Sequence, residues 1–256
     1  MFEAQTLPTP QALGAASGSD AAAIVVCGGV GSRFRSPGGK VLAELCGLPM
    51  AAWSVVAAAS APSLSRIVVV CRAEDEAALV DAFAGLPMVG RVFFARAGRT
   101  RQASVAAGLS YVPTGTEFVC VHDGARPLVR PLLFEETLGA LRFEEGLSGA
   151  IAAVPVADTV KECEHQLIVG TADRSRLWLA QTPQTFRTAD LRQALALAEE
   201  EGWDLTDDAG LVERWGGKVI CVHSSRENFK VTYPEDLAMA RAILSDRLKG
   251  EWGPEA

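Results

Sequence analysis

Short apolar runs that alternate with segments of helical periodicity constrain the fold of this chain more than any other feature. The runs are AAIVVC (22–27), RIVVVC (66–71), RVFFA (91–95), EFVCVH (117–122), GAIAAV (149–154) and KVICVH (218–223). Apolar residues recur at helical spacing in 49–60, 74–85, 101–112, 131–146, 189–202 and 206–215. This alternation predicts an α/β fold with a doubly wound, mostly parallel sheet that binds ligands at the carboxyl ends of its strands.

The alternation lapses between residues 155 and 182. Polar residues interrupt this stretch repeatedly, which predicts a β-arm that leaves the sheet. A final helix follows from Thr232, where Thr232 as N-cap and Glu235 three residues later form a capping box.

Length and hydrophobic content predict one domain. The 256 residues are 49% hydrophobic, enough for a single large core, and we place the domain at 21–249. Residues 1–20 lack a basic start and a long apolar stretch, so we expect a disordered extension rather than a signal peptide, and a flexible tail at 250–256. No apolar run reaches membrane-spanning length.

Charge and cysteine usage narrow the function. A net charge of −7, from 24 Lys and Arg against 31 Asp and Glu, argues against a nucleic-acid groove. Six cysteines without a C-x-x-C pair indicate reduced, buried thiols of a cytoplasmic protein. The three histidines are too scattered to indicate a zinc site.

The first apolar run breaks into the loop CGGVGSRFRSPGGK, residues 27–40. Its glycines let a backbone approach a ligand closely, and Arg33 and Lys40 bring positive charge, a composition that suits phosphate. Phe34 stands where the Rossmann fingerprint and the Walker A loop each need glycine, which weakens the hypothesis of a nicotinamide-dependent dehydrogenase. A glycine-rich turn with solvated cations has the same composition, so the segment alone leaves both interpretations open.

A second polar group, HDGARP, follows the fourth run at residues 122–127. Asp123 at a strand end would face the ligand crevice and suits Mg²⁺ held jointly with substrate phosphates, which we favour over a turn-forming Asp. Arg126 is placed either as a clamp on a second phosphate or in a salt bridge of the loop. The segment from Gly98 to Ser104 offers N–H groups and a hydroxyl at a helix start that could hold a polar ligand, but the sequence alone favours an ordinary helix start.

Taken together and in order, the motifs resemble the 2-C-methyl-D-erythritol 4-phosphate cytidylyltransferase family, which belongs to the glycosyltransferase-A-like nucleotidyltransferases with a Rossmann-like sheet. The resemblance extends from Ala22 to Leu248. It rests on the glycine-rich loop, RxxSVxxGL (101–109), HDxARP (122–127), PVxDT (155–159), DR (173–174), TPQ (182–184), TDDA (206–209) and NxKVTxPEDL from Asn228.

The resemblance implies transfer of CMP from CTP to a polyol phosphate, with Mg²⁺ as cofactor and no catalytic triad. It implies a homodimer in which the arm reaches the partner's site. The implied catalytic residues are Arg33, Lys40, Arg174 and Lys230, and Asp123 is the implied metal ligand. The implied substrate-binding residues are Cys27, Gly28, Gly29, Gly31, Gly98, Arg101, Ser104, Asp123, Gly124, Arg126, Asp158, Thr159 and Thr182.

The chain departs from the family pattern at three places. It has VCGG at 26–29 where the family usually has PAAG, Gly39 where proline usually precedes the loop lysine, and Gly124 where alanine is common. Because glycine raises the entropy cost of ordering a loop, we expect a looser loop and weaker CTP affinity. We interpret Cys27 as a small residue in a tight corner rather than a redox switch, and Asp207 and Asp208 as a helix start rather than catalytic carboxylates.

Two alternatives remain beside the dehydrogenase. Ribitol 5-phosphate cytidylyltransferases share the fold and the nucleotide handling and differ mainly in the polyol pocket. A non-catalytic nucleotide-binding regulator would keep the fold, although the joint presence of Arg33, Lys40, Asp123 and Lys230 argues against it.

Overall fold

A computed structural model of the chain describes residues 20–29, 31, 34 and 39–250. Its strands are β1 (Ala21–Val26), β2 (Glu44–Leu45), β3 (Leu48–Pro49), β4 (Leu64–Cys71), β5 (Val92–Arg96), β6 (Phe118–Asp123), β7 (Gly149–Pro155), β8 (Lys161–Glu164), β9 (Leu167–Thr171), β10 (Trp178–Arg187) and β11 (Val219–His223). Its α-helices are α1 (Met50–Ser60), α2 (Ala73–Phe83), α3 (Arg101–Leu109), α4 (Pro131–Phe143), α5 (Thr188–Glu201), α6 (Asp208–Trp215) and α7 (Pro234–Lys249).

Seven strands form the central sheet in the order β11-β7-β10-β6-β1-β4-β5. All neighbours are parallel except β10, which is antiparallel to both β6 and β7. The chain builds outward from β1 to β4 and β5 and then returns to place β6 on the other side of β1. The carboxyl ends of β1 and β6 therefore meet at a topological switch point, where sheets of this kind bind ligands.

Strand β1 shows why the sheet is covered on both faces. Ala21, Ala23 and Val25 lie in one hydrophobic cluster with residues of α1, α2 and α4, whereas Ala22 and Ile24 lie in a second cluster with residues of α3, α5 and α6. Successive side chains of a strand point to opposite faces, so a continuous apolar run is buried against two helix layers. The doubly wound, mostly parallel sheet expected from the sequence is confirmed.

The predicted arm is shorter than the sequence indicated. Pro155 ends β7, and Trp178, Leu179 and Ala180 already pair with β7 as part of the central sheet. Strand β10 was not predicted, because Pro183 and several polar residues hide its pattern. The arm is therefore residues 156–177, in which β8 and β9 form a separate antiparallel pair.

The capping box of α7 lies one residue later than predicted. The Asp236 carboxylate accepts the backbone N–H groups of Tyr233 and Thr232 at 2.8 and 2.7 Å, so Tyr233 rather than Thr232 is the N-cap. Pro234 then takes the first helical position, where its missing N–H costs nothing.

Three expectations need correction or fall outside the structure. Residues 1–19 and 251–256 lie outside the described residues, but Asp20 is tied to the sheet, since its carbonyl accepts the N–H groups of Glu117 and Phe118. The cysteines are free thiols, yet only Cys27, Cys71 and Cys120 are buried, whereas Cys46 is half-buried and Cys163 and Cys221 are exposed. Cys163 lies on the arm and Cys221 on the edge strand β11, so neither position is covered by the core.

Candidate active site

A pocket of about 250 Å³ lies at the carboxyl ends of β1, β5 and β6. We call it the strand-end pocket. Its lining residues are Val26, Cys27, Gly28, Gly29, Lys40, Val41, Gly98, Arg99, Thr100, Arg101, Ser104, Asp123, Ala125 and Lys230. Nine of the predicted site residues are among them, contributed by the loops after β1 and β5, the first turn of α3, the last residue of β6 and the loop before α7.

The wall formed after β1 and β5 is tightly packed. A Cβ on Gly28 would lie 2.4 Å from the Cβ of Ala97, so glycine is required at this close approach. Opposite it, Ser104 Oγ accepts the Gly98 N–H at 3.1 Å and donates to the Thr100 carbonyl at 2.9 Å. The loop from Gly98 into α3 is thus held by the Ser104 hydroxyl, which keeps one acceptor lone pair unused by these two bonds.

Asp123 is the electrostatic centre of the pocket. Its Oδ2 lies 2.8 Å from Lys230 Nζ and 3.8 Å from Arg126 Nε, and its Oδ1 lies 3.7 Å from Arg101 Nε. Burial raises the pKa of Asp123, but these three cations lower it by more, so the pKa lies well below its usual range. The carboxylate is therefore ionised at neutral pH.

His122 and Thr182 fix the turn that carries Asp123. Thr182 Oγ1 accepts the Asp123 N–H at 3.0 Å and lies 2.9 Å from His122 Nδ1, while His122 Nε2 lies 3.3 Å from the Arg126 carbonyl. Because that carbonyl only accepts, we assign the ring proton to Nε2, and Nδ1 accepts the Thr182 hydroxyl proton. Burial lowers the pKa of His122 to about 4, so the ring is neutral. Thr182 is a predicted substrate contact, but its hydroxyl proton is donated to His122 and not to a substrate.

Arg126 also makes its side-chain hydrogen bond within the chain. Its Nη1 donates to the Asn228 carbonyl at 2.7 Å, and the Asn228 amide donates in turn to the Thr182 carbonyl at 2.9 Å. Burial lowers the pKa of Arg126 below its ordinary value. Arg126 Nε is buried without a hydrogen-bond partner, so this nitrogen retains donor capacity beside Asp123.

The phosphate loop is described only in part. Lys40 lies in the strand-end pocket, and Gly31 lies against it, because a Cβ on Gly31 would be 2.9 Å from Lys40 Cβ. Arg33 lies outside the described residues. Gly39 has a φ of +84°, which proline cannot adopt, and this explains the departure from the family pattern. Phe34, which breaks both phosphate fingerprints, is buried in a cluster with Leu45 and Trp53.

Cys27 and Gly124 are packed against each other. A Cβ on Gly124 would lie 2.4 Å from Cys27 Sγ, so the thiol occupies the space that an alanine side chain would need. Burial raises the pKa of Cys27 well above its ordinary range, so the side chain stays a thiol. The two departures from the family pattern are thus one packing solution, and they support a structural interpretation of Cys27.

The arm keeps its predicted site residues away from the lining of the strand-end pocket. Asp158, Thr159 and Arg174 are exposed, and Arg174 donates a short hydrogen bond to the Ala157 carbonyl of its own arm. The arm also exposes Leu167, Ile168 and Val169. These residues therefore do not line the strand-end pocket of their own subunit.

Sequence reasoning missed two residues that support the site. Asp208, interpreted as part of a helix start, also lies 2.7 Å from the guanidinium of Arg101. Gln184 accepts the N–H groups of Asp208 and Ala209 at 3.1 Å each. The TPQ and TDDA motifs pointed to both positions but gave no sign that they meet. Asp207, the N-cap of α6, accepts the Gly210 N–H at 3.0 Å, as a helix start requires.

Residues 20–29, 31, 34 and 39–250 meet the requirements of neither a cluster of metal ligands nor a membrane-spanning helix. No three or more His, Cys, Asp or Glu residues gather there in a way that would hold a metal on their own. No helix in the same part of the chain has the length and apolar character to cross a membrane.

Comparison with known proteins assigns the family. The family model of IspD, 2-C-methyl-D-erythritol 4-phosphate cytidylyltransferase, matches residues 21–246. Curated enzymes of that name from Synechococcus sp. (strain CC9902) and Nostoc sp. (strain PCC 7120) are 43% and 40% identical, each over 88% of this chain and 97% of its own length.

Solved structures agree with this match. The crystal structure of the cytidylyltransferase from Thermus thermophilus is 30% identical with a TM-score of 0.70 and covers 88% of this chain and 98% of its own. The corresponding synthase from Anaerococcus prevotii is 27% identical with a TM-score of 0.76 over the same shares. The chain belongs to the 2-C-methyl-D-erythritol 4-phosphate cytidylyltransferase family.

Proposed function

We propose that this chain transfers the cytidylyl group of CTP to 2-C-methyl-D-erythritol 4-phosphate, giving CDP-methylerythritol and pyrophosphate in the non-mevalonate isoprenoid pathway. Family membership supports the reaction. The observation that carries it in this chain is the meeting of Lys40, Asp123 and Lys230 in one strand-end pocket beside a glycine-lined wall.

The reaction asks the protein for positioning and charge rather than for a base. A phosphate monoester is largely dianionic near neutral pH, since its second pKa is ~6, so it can attack the α-phosphorus of CTP directly. A new P–O bond forms there as the bond to the pyrophosphate oxygen breaks. Lys40 and Lys230 would compensate the charge on the α-phosphoryl group and the departing pyrophosphate.

The residue roles follow the arrangement of the pocket. The wall formed by Cys27, Gly28, Gly29, Gly98 and Ser104 would hold the base and ribose, and Gly31 and Gly124 shape the loops beside it. Lys40 and Arg33 would hold the triphosphate, and Arg33 rests on the family resemblance alone. Arg126 would steady Asp123, and Arg101 would meet the nucleotide from the pocket wall.

A magnesium ion fits this site. Asp123 offers one ionised carboxylate, and Mg²⁺ in such sites takes its remaining ligands from substrate phosphates and water. Lys230 contacts Oδ2, and the Asp123 carboxylate would still offer an oxygen to the ion. When bound, the ion would add positive charge beside the phosphates.

The site would be completed by a second subunit. We propose a cytoplasmic homodimer in which the arm brings Asp158, Thr159 and Arg174 to the partner's pocket, where they and Lys230 would position the polyol phosphate. The exposed apolar residues of β9 and the exposure of all three polar residues support this arrangement.

Pyrophosphate release tests the proposed reaction. With CTP and Mg²⁺, methylerythritol phosphate should support turnover and ribitol 5-phosphate should not. Release with ribitol 5-phosphate alone would instead assign the sister activity, and CTP binding without release from either acceptor would point to the non-catalytic regulator.

A further inference from the structure

A partly buried ion pair joins two helix starts at the wall of the strand-end pocket. Asp208 is the first residue of α6 and is 2% exposed, and Arg101 is the first residue of α3. Arg101 Nη2 lies 2.7 Å from Asp208 Oδ2. An ion pair at this depth is expensive to desolvate, so its presence calls for an explanation beyond stability.

Gln184 of β10 holds Asp208 in place. Its Oε1 accepts the backbone N–H groups of Asp208 and Ala209, and its Nε2 donates to Asp207 Oδ2 at 2.8 Å. Gln184 is itself 1% exposed. Gln184 therefore ties the first turn of α6, which carries the Asp208 carboxylate, to the central sheet.

Arg101 stands between two carboxylates. One end of its guanidinium contacts Asp208, while its Nε lies 3.7 Å from Asp123 Oδ1, beyond hydrogen-bond distance. Burial lowers the pKa of Arg101, but the two aspartates raise it by more, so the group remains charged. Burial raises the pKa of Asp208, and Arg101 opposes that effect.

We propose that Asp208 is a positioning residue for nucleotide binding, which holds the Arg101 guanidinium on the pocket wall and keeps it from closing onto Asp123. Without Asp208, Arg101 would be free to close the 3.7 Å gap and form a charge-assisted pair with Asp123. That pair would occupy Oδ1 and turn Arg101 away from the wall. The inference rests on the proposed function, because it takes the nucleotide to be CTP.

Calorimetric titration of the full-length chain with CTP and MgCl₂, without acceptor, tests the inference. Asp208→Asn should raise the Kd for CTP about 10-fold, since a small misplacement of a positioning group commonly costs this much or more. The fitted stoichiometry should not change, because a merely structural role would lower the folded fraction and leave Kd as it was. Asp204→Asn is the matched control, since it removes the same charge at an exposed position of the loop that precedes α6.

A double-variant cycle tests whether Asp208 acts through Arg101. In the Arg101→Gln background, Asp208→Asn should weaken CTP binding no further. Additive losses would overturn the inference, because Asp208 would then act independently of Arg101.

A second variant covers the case in which Asp208→Asn does not fold. Asp208→Glu keeps the charge but moves the carboxylate by one methylene, and it should bind CTP more weakly than the wild type. An unchanged Kd in the folded variant would overturn the inference while leaving the proposed function intact. Failure of the wild type to bind CTP would instead contradict the proposed function itself.

Discussion

The strand-end pocket and the arm differ in how much of their chemistry is satisfied within one chain. Asp123 in the pocket is surrounded by Lys230, Arg101 and Arg126, and the turn behind it is tied by buried hydrogen bonds. Arg174 on the arm is exposed and contacts only the arm's own backbone among the described hydrogen bonds. Residues that the sequence assigned to one site thus lie in two very different environments.

We expect this difference to assign the two substrates to different regions of the molecule. The pocket is preorganised by its own chain, so we expect it to bind the nucleotide alone. On the arm, the predicted site residues and several apolar residues are exposed. An exposed surface of this kind is typical of an interaction site. Four predictions sharpen this contrast, from the largest effect to the smallest.

The largest effect concerns Lys40. Lys40→Ala should lower kcat about 100-fold or more, because it removes positive charge from the phosphates as they react. Steady-state pyrophosphate release measures it, with the exposed Lys161 of the arm hairpin as a control position for Lys→Ala. A normal kcat with only a raised KM would show that Lys40 merely binds. Arg33→Ala should act in the same direction.

The Cys27 and Gly124 contact should be costly to disturb. Gly124→Ala is expected to lower the free energy of unfolding by about 1–3 kcal/mol, the usual cost of overpacking a tight core site. Cys27→Ala should restore most of that loss in the double variant. Gly170→Ala on the arm is the matched control, since its new Cβ would meet only the flexible Glu162 carboxylate. Urea titration gives the free energy of unfolding of all four chains. An equal loss for Gly124→Ala and Gly170→Ala would mean that the pocket is packed no more tightly than the arm.

His122 should couple pocket stability to pH. Its pKa falls from 6.5 to about 4 on folding, so the unfolded chain binds more protons between these values and stability is lost as pH falls through this window. Between pH 7.5 and pH 6 this one group should lower the free energy of unfolding by about 0.8 kcal/mol. The full effect is about 1.36 kcal/mol per pH unit inside the window, and only the part of this interval below the unfolded pKa contributes strongly. The loss should disappear in His122→Asn and persist in His165→Asn, which changes an exposed arm residue. If the free energy of unfolding fell with pH as steeply in His122→Asn as in the wild type, His122 would not be the group responsible.

The smallest effect concerns Arg174 and the nucleotide. Arg174→Ala should leave the Kd for CTP within about 2-fold of wild type, because the residue lines no part of its own chain's pocket, while turnover with the acceptor is lost. Calorimetry and pyrophosphate release give the two values. A large rise in the Kd for CTP would place Arg174 on the nucleotide instead.

The sequence predicted those parts of the fold that depend on local pattern. Six apolar runs became strands of the central sheet: those inside the sheet are buried on both faces, whereas β5 and β11 are edge strands and are only partly buried. Strand β10 was missed because Gln181 and Gln184 are buried through hydrogen bonds rather than through apolar contact, and Pro183 breaks the pattern. Local composition cannot show a polar residue that is satisfied by a distant segment.

The site residues also divide into those that local motifs predict and those that only the fold brings together. The motifs identified Lys40, Asp123 and Lys230, which the fold brings together. They could not show that the cysteine at 27 and the glycine at 124 compensate each other, nor that Asp208 meets Arg101. Such pairs depend on which strand ends meet, and that information becomes visible only when the chain is folded.

A mixed-dimer assay tests most directly whether pocket and arm belong to different chains of one site. Lys40→Ala and Arg174→Ala should each be inactive alone. Random exchange of equal amounts makes about half of the dimers mixed, each with one sound site of two, so roughly a quarter of wild-type pyrophosphate release should return. Light scattering and differently tagged subunits would confirm the dimer and the exchange. No recovery despite complete exchange would contradict the account, because Arg174 would then serve its own chain or no site.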